Sequence, residues 1–139
     1  MPMKKTFVEP LLVLLAAVSL LACAKPPTAS VVALSARQAE TLLAHNSDNP
    51  DFVVLDIRTA REYAQGHIPR AVLLDYYDPT FKAGLQRLDR DKIYFIYCRS
   101  GNRSGRALKL IEPLGFKKIY HLENGIIDWR RQNLRVVTS

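Results

Sequence analysis

The chain has 139 residues, 20 Lys+Arg against 13 Asp+Glu for a net charge of +7, 48% hydrophobic residues and two cysteines. Apart from its N-terminal segment, that length suits one domain of ordinary size, and the sequence carries no internal repeat, which excludes a second domain and a repeat array. The basic residues are spread over several predicted elements, which argues against nucleic-acid binding and fits a solvated basic surface.

In chain order the first feature is an export pattern. Lys4 and Lys5 supply positive charge, Leu11 to Ala22 is almost wholly apolar, and the segment closes on Leu20-Leu21-Ala22-Cys23. The apolar run is too short for the ~20 residues of a transmembrane helix. The ending resembles the lipobox of bacterial lipoprotein signal peptides, which implies cleavage before Cys23 and lipidation of that cysteine. A plain signal peptide cleaved nearby, or an uncleaved anchor, is the alternative. Residues 1–22 are thus predicted as the signal peptide, and residues 23–30 as the lipidated cysteine and a tether. The folded domain is predicted over 31–139, and loss of residues 1–22 leaves a net charge of +6. The implied location is the periplasmic face of the cell envelope, anchored to a membrane. By the sorting rule of some bacteria, Ala24 after the cysteine favours the outer membrane.

Ser35 to Gln38 reads as a capping box opening a helix to about His45, followed by a turn over Asn46 to Pro50. Phe52 to Ile57 is a candidate buried strand, and Thr59 to Glu62 is a second capping box before a short helix ended by Gly66. Ala71 to Leu74 is a short strand, and Asp78-Pro79 is expected to cap a helix running to about Leu88. Ile93 to Tyr97 is a short β-branched and aromatic run, hence a strand, and Ser104 to Glu112 is an amphipathic helix. Lys118 to Leu122 is a last strand, and Asn124 or Gly125 opens a last helix through Trp129. Strands alternating with helices predict an α/β fold of three layers, a mainly parallel sheet with helices on both faces.

Cys98 lies where such a fold concentrates its chemistry, just beyond a strand and before a helix. The loop Cys98-Arg99-Ser100-Gly101-Asn102-Arg103-Ser104 is expected to turn backbone N–H groups and the positive helix end on the sulfur, with Arg99 and Arg103 adding positive charge. With Cys23 lipidated or removed, Cys98 is the lone cysteine of the mature domain, and the polar loop after it favours a reactive thiol over an inert core one. Gly101 suits a tight anion cradle that a side chain would obstruct.

These pieces together resemble a single-domain rhodanese of the sulfurtransferase family. Asp56-Ile57-Arg58 with Glu62-Tyr63 and Gly66-His67-Ile68-Pro69 matches the upstream signature, and Leu122-Glu123-Asn124-Gly125 with Trp129 the downstream one. The family often has Gly where Arg70 and Asn124 stand. The resemblance implies sulfur transfer through a Cys98 persulfide, from a small anionic donor such as thiosulfate to cyanide or a thiol. It implies Cys98 as nucleophile, and Arg99, Ser100, Gly101, Asn102, Arg103 and Ser104 as the substrate-binding loop. Neither cofactor nor metal is expected, and the protein is expected to be a monomer.

Two other readings are weighed against this one. A Cys-dependent phosphatase or arsenate reductase resembles its relatives in placing five residues between the Cys and a catalytic Arg, whereas here only four separate Cys98 from Arg103. A non-catalytic rhodanese-like binding module usually lacks the Cys that this chain keeps. Among the other polar residues, Asp56 and Arg58 are read as fixing the neighbouring turn, with Glu62 within reach of Arg58. His67 is read as a structural hydrogen-bonding residue and Trp129 as core. His45, His67 and His121 share no ligand-like spacing.

Overall fold

In a computed structural model, residues 1–2 and 28–138 are described. The export segment and Cys23 lie outside the described residues. Five strands form one parallel sheet in the order β1-β5-β4-β2-β3: β1 (Ser30–Leu34), β2 (Phe52–Asp56), β3 (Val72–Leu73), β4 (Ile93–Tyr97) and β5 (Lys118–Leu122). The helices are α1 (Ala36–His45), α2 (Ala60–Ala64), α3 (Phe81–Arg87), α4 (Asn102–Ile111) and α5 (Gly125–Arg131), with a 3-10 turn at Glu112–Leu114.

β4 sits in the middle of the sheet, and its alternation builds both halves of the core. Tyr94 and Ile96, with Cys98 beyond the strand, pack against Phe81 and Leu85 of α3 and Ala107 and Ile111 of α4. Phe95 and Tyr97 face Ala36 and Ala39 of α1 and Ile126 and Trp129 of α5. This is the predicted three-layer arrangement, and a strand covered on both faces reads as an unbroken apolar run for that reason.

Both capping boxes form. The Ser35 and Thr59 hydroxyls accept from the N–H groups of Gln38 and Glu62, whose side chains return to the cap N–H groups. Four details depart from the sequence reading. β1 was not foreseen: it is a half-exposed edge strand beside β5, and with Ala29 buried and Ser30 paired, the fold takes in the last two residues of the predicted tether. Asp78 caps no helix, because its carboxylate accepts from the N–H and hydroxyl of Thr80 in a turn, and α3 begins at Phe81. α4 starts at Asn102, two residues early, and its cap is Gly101 at φ +90° with no side-chain cap bond. Finally, of the two positions where the family often has Gly, Arg70 stands at φ +67° while Asn124 stands at φ −100°. Arg70 therefore carries the left-handed strain, held by a bond of 2.9 Å from its guanidinium to the Asn46 carbonyl, and Asn124 has no need of Gly.

Candidate active site at the end of β4

Asp56 and Tyr97 are register partners at the ends of β2 and β4, so the next residue, Cys98, emerges at the C-terminal edge of the sheet. The chain then turns sharply into α4 and folds around the sulfur. The Gly101 N–H lies 3.1 Å from Sγ, the Ser104 N–H 3.4 Å and the Ser104 hydroxyl 3.3 Å, while Cys98 itself is fully buried. Three donors converge on one buried atom, an arrangement suited to negative charge on it. The N–H groups of Gly101 and Ser104 thus fulfil the expected cradle. The side chains of Arg99, Ser100 and Asn102 stay exposed at its rim.

The cradle holds its shape through the turn after β5. Ile126 and Ile127 donate their N–H groups to the carbonyls of Cys98 and Arg99, at 3.0 and 3.1 Å. A Cβ on Gly101 would collide with the Glu123 carbonyl, and one on Gly125 (φ +63°) with the Arg99 carbonyl and the Ser100 nitrogen. The obstruction predicted at Gly101 therefore comes from the neighbouring turn and from its positive φ, not from the sulfur.

Arg103 is committed elsewhere. Its guanidinium makes a bidentate pair with Glu62, both bonds 2.7 Å, and lies over the exposed ring of Tyr77. The hydrogen bond from Arg103 holds the Glu62 carboxyl down at about 2, and Glu62 in turn raises Arg103. The expected Arg58–Glu62 pair does not form. Arg58 instead grips Asp56 through Nε and Nη2, at 2.6 to 3.0 Å, and reaches the Gly66 carbonyl at 2.8 Å. The Tyr97 hydroxyl donates to Asp56 at 2.7 Å and accepts from the Ile68 N–H at 3.0 Å. This closed network pins the Gly66–Pro69 turn, as the sequence suggested for Asp56 and Arg58. His67 completes the turn, stacked on Tyr63 and bridged to Val137 through both backbone groups.

Next to the cradle, a cavity of about 200 Å³ is lined by Arg58, Glu62, Gln65, Arg99, Ile126, Ile127 and Arg130. Arg58 and Glu62 are already paired, which leaves Arg99 and Arg130 as the cations it offers to an anion. A larger cavity, about 330 Å³, lies on the α1 side among Leu43, Val54, Pro69 and Trp129, and Cys98 does not border it.

One residue the sequence reading weighed only as a metal ligand is His121. From β5 its Nε2 lies 2.8 Å from the Ser104 hydroxyl, and burial lowers its pKa, with Glu123 opposing. Its separation from Cys98 along the chain gave no sign of this contact; only the parallel pairing of β4 with β5 brings it there.

A parallel α/β sheet with a cysteine in a donor-lined loop beyond its central strand is a rhodanese-type scaffold, with Cys98 as its candidate site. The family model for the Rhodanese-like domain matches residues 38–132, and the chain belongs to that family. It is 35% identical over 99 residues to a sulfurtransferase of Allochromatium vinosum, spanning 71% of this chain and 91% of that protein. It is 37% identical over 90 residues to the tRNA uridine(34) hydroxylase of Pectobacterium carotovorum subsp. carotovorum, covering 62% of this chain but only a quarter (25%) of that protein. A crystal structure of a rhodanese-related protein from Thermoplasma volcanium has the same fold, with a TM-score of 0.63 at 27% identity over 77% of this chain and 98% of that one.

Proposed function

We propose that the protein is a sulfurtransferase that carries sulfur as a persulfide on Cys98. The observation that carries this reading is the convergence of the Gly101 N–H, the Ser104 N–H and the Ser104 hydroxyl on a buried sulfur. The Cys98 thiolate attacks the outer sulfur of thiosulfate. A new S–S bond forms, the donor's S–S bond breaks with its electron pair, and sulfite leaves as a dianion. The negative charge stays on the enzyme as the persulfide. Cyanide or a thiolate then attacks the outer persulfide sulfur, carries it away and restores the Cys98 thiolate. No step requires a proton, so no general base is needed. Arg99 and Arg130 beside the cradle supply the positive field for the anionic donor.

The pairing of Arg103 with Glu62 weighs against phosphatase chemistry. A catalytic Arg in that role must present N–H groups to a tetrahedral oxyanion, and Arg103 already spends one donor from each terminal nitrogen on a carboxylate. The test is intact-protein mass spectrometry after thiosulfate treatment. Cys98 gains one sulfur atom, which cyanide removes; no addition, with aryl-phosphate turnover that disappears in Cys98→Ser, overturns the reading.

We also propose that Cys23 bears lipid and tethers the domain, as a monomer, to the periplasmic side of a membrane, the outer one by the residue that follows it. The support is the charged start, the apolar run and the Leu-Ala-Cys ending. Cys23→Ala abolishes labelling by a fatty-acid analogue; an unlabelled wild type refutes the anchor.

A further inference from the structure

A count of hydrogens around Ser104 assigns His121 a role. Three atoms approach the Ser104 hydroxyl: Cys98 Sγ at 3.3 Å, the Gly101 carbonyl at 3.2 Å and His121 Nε2 at 2.8 Å. A serine hydroxyl has one hydrogen to give and lone pairs to receive. The Gly101 carbonyl only accepts, and so does a thiolate. If Nε2 also accepted, three acceptors would compete for one hydrogen, with the shortest contact drawing it away from the sulfur. If Nε2 carries the proton, it donates to Ser104 Oγ, and the serine hydrogen is left with two acceptors, the Gly101 carbonyl and the charged sulfur, of which the thiolate is the stronger. All three side chains are buried, so water offers no easy substitute.

We propose that His121 is a positioning residue, its Nε2–H holding the Ser104 hydroxyl as a donor to Cys98. His121 does not touch the reacting sulfur and acts only through the serine. Burial lowers the His121 pKa and so favours the neutral imidazole, which fits this role, because a neutral ring has a single N–H and the choice of nitrogen decides the direction of the chain. The inference rests on Cys98 working as a thiolate, and so deepens the sulfurtransferase reading without depending on its substrates.

The first measurement is the histidine tautomer by nitrogen-15 NMR of the wild-type protein near neutral pH. Protonated Nε2 on His121 is expected; protonated Nδ1 with bare Nε2 overturns the proposal without any variant. The second is the rate of Cys98 alkylation by iodoacetamide in variants whose folding is checked by circular dichroism. At about pH 6, Ser104→Ala slows alkylation about tenfold and His121→Leu about fivefold, the scale of one ordinary hydrogen bond. The double variant is no slower than Ser104→Ala alone. His121→Gln, whose amide can donate from nearly the same point, stays within about twofold of wild type. A His121→Leu rate equal to wild type, or losses that multiply in the double variant, overturns the relay. Alkylation does not require sulfur transfer, so a protein that passes these tests yet forms no persulfide fails the functional reading alone.

Discussion

Two buried polar centres lie side by side at the C-terminal edge of the sheet, and they solve the problem of buried charge differently. At the end of β2, Asp56 is met by a full countercharge: Arg58 binds both of its oxygens, and Tyr97 adds a hydroxyl. Burial works against the Arg58 charge, yet its pKa is raised because Asp56 outweighs that cost. One strand over, Cys98 is met by backbone N–H groups and a hydroxyl, while Arg103, one of two loop cations, is tied to Glu62. A carboxylate locked to its counterion has nowhere to send its charge and serves as scaffold. A sulfur held by dipoles keeps its electron pair available.

The comparison is broken most severely at the sulfur itself. Cys98→Ser is expected to lower thiosulfate:cyanide sulfur transfer at least ~1,000-fold, since a serine hydroxyl neither ionises at neutral pH nor forms a persulfide. Urea unfolding should change little, because the cradle's partners accommodate an oxygen. A loss of stability to match the loss of activity would make Cys98 a packing residue.

At the neighbouring centre the expectation is inverted. Asp56→Asn leaves the Arg58 guanidinium, only 3% exposed, without a countercharge, at a cost of about 3 kcal/mol in urea unfolding. The protein that remains folded should still load sulfur on Cys98. An undiminished midpoint would mean that the Gly66–Pro69 turn does not depend on this pair.

The Glu62–Arg103 pair sharpens the contrast, because it commits one of the loop's two cations to a carboxylate. The Glu62 carboxyl, ordinarily near 4.5, is held at about 2 by Arg103. A depressed carboxyl adds stability above its unfolded value and loses it as pH falls through the folded one, so the contribution fades between about 4.5 and 2. Solvent screening of a quarter-exposed carboxylate reduces that contribution to about 1–2 kcal/mol. Glu62→Gln should therefore be less stable than wild type at neutral pH, and the two should converge toward pH 2. Parallel curves across that window would show that the pair contributes nothing.

The smallest effect belongs to the turn on the scaffold side. Arg70→Gly relieves a left-handed backbone but forfeits the bond to Asn46, and the two nearly cancel, to within about 0.5 kcal/mol. Arg70→Val keeps the strain, adds a β-branched side chain and loses the bond, so its melting temperature should fall clearly below that of Arg70→Gly. Equal melting temperatures would show that φ at this position is not what matters.

Much of the fold was legible because its signals are local. β4 and β5 read correctly from apolar runs ended by turns, and β2 to within a residue. α1 and α2 read correctly because a side-chain cap marks each start. Where a boundary lacks a side-chain signal the reading slipped, as at α4, which is capped by the backbone of Gly101. The Cys98 loop could be found from its position alone. Its partners could not: Glu62 reaches Arg103 across 41 residues, and His121 reaches Ser104 across 17 by way of strand pairing. Charge pairing in particular misleads at short range, since Glu62 lies within one helical turn of Arg58 yet binds an arginine on another element.

The dependence of the cradle on the turn after β5 has a consequence in time. The carbonyls of Cys98 and Arg99 are held by Ile126 and Ile127, and Gly101 packs against Glu123. Until that later stretch of chain has docked, nothing fixes the loop around the sulfur, and Cys98 lacks its converging donors. An incompletely folded or still-elongating polypeptide would thus carry an exposed cysteine without a cradle, and folding both buries the sulfur and surrounds it with donors. The site would be assembled only with the last pieces of the fold, so a change in the rate of Cys98 alkylation during refolding reports when the turn after β5 has docked.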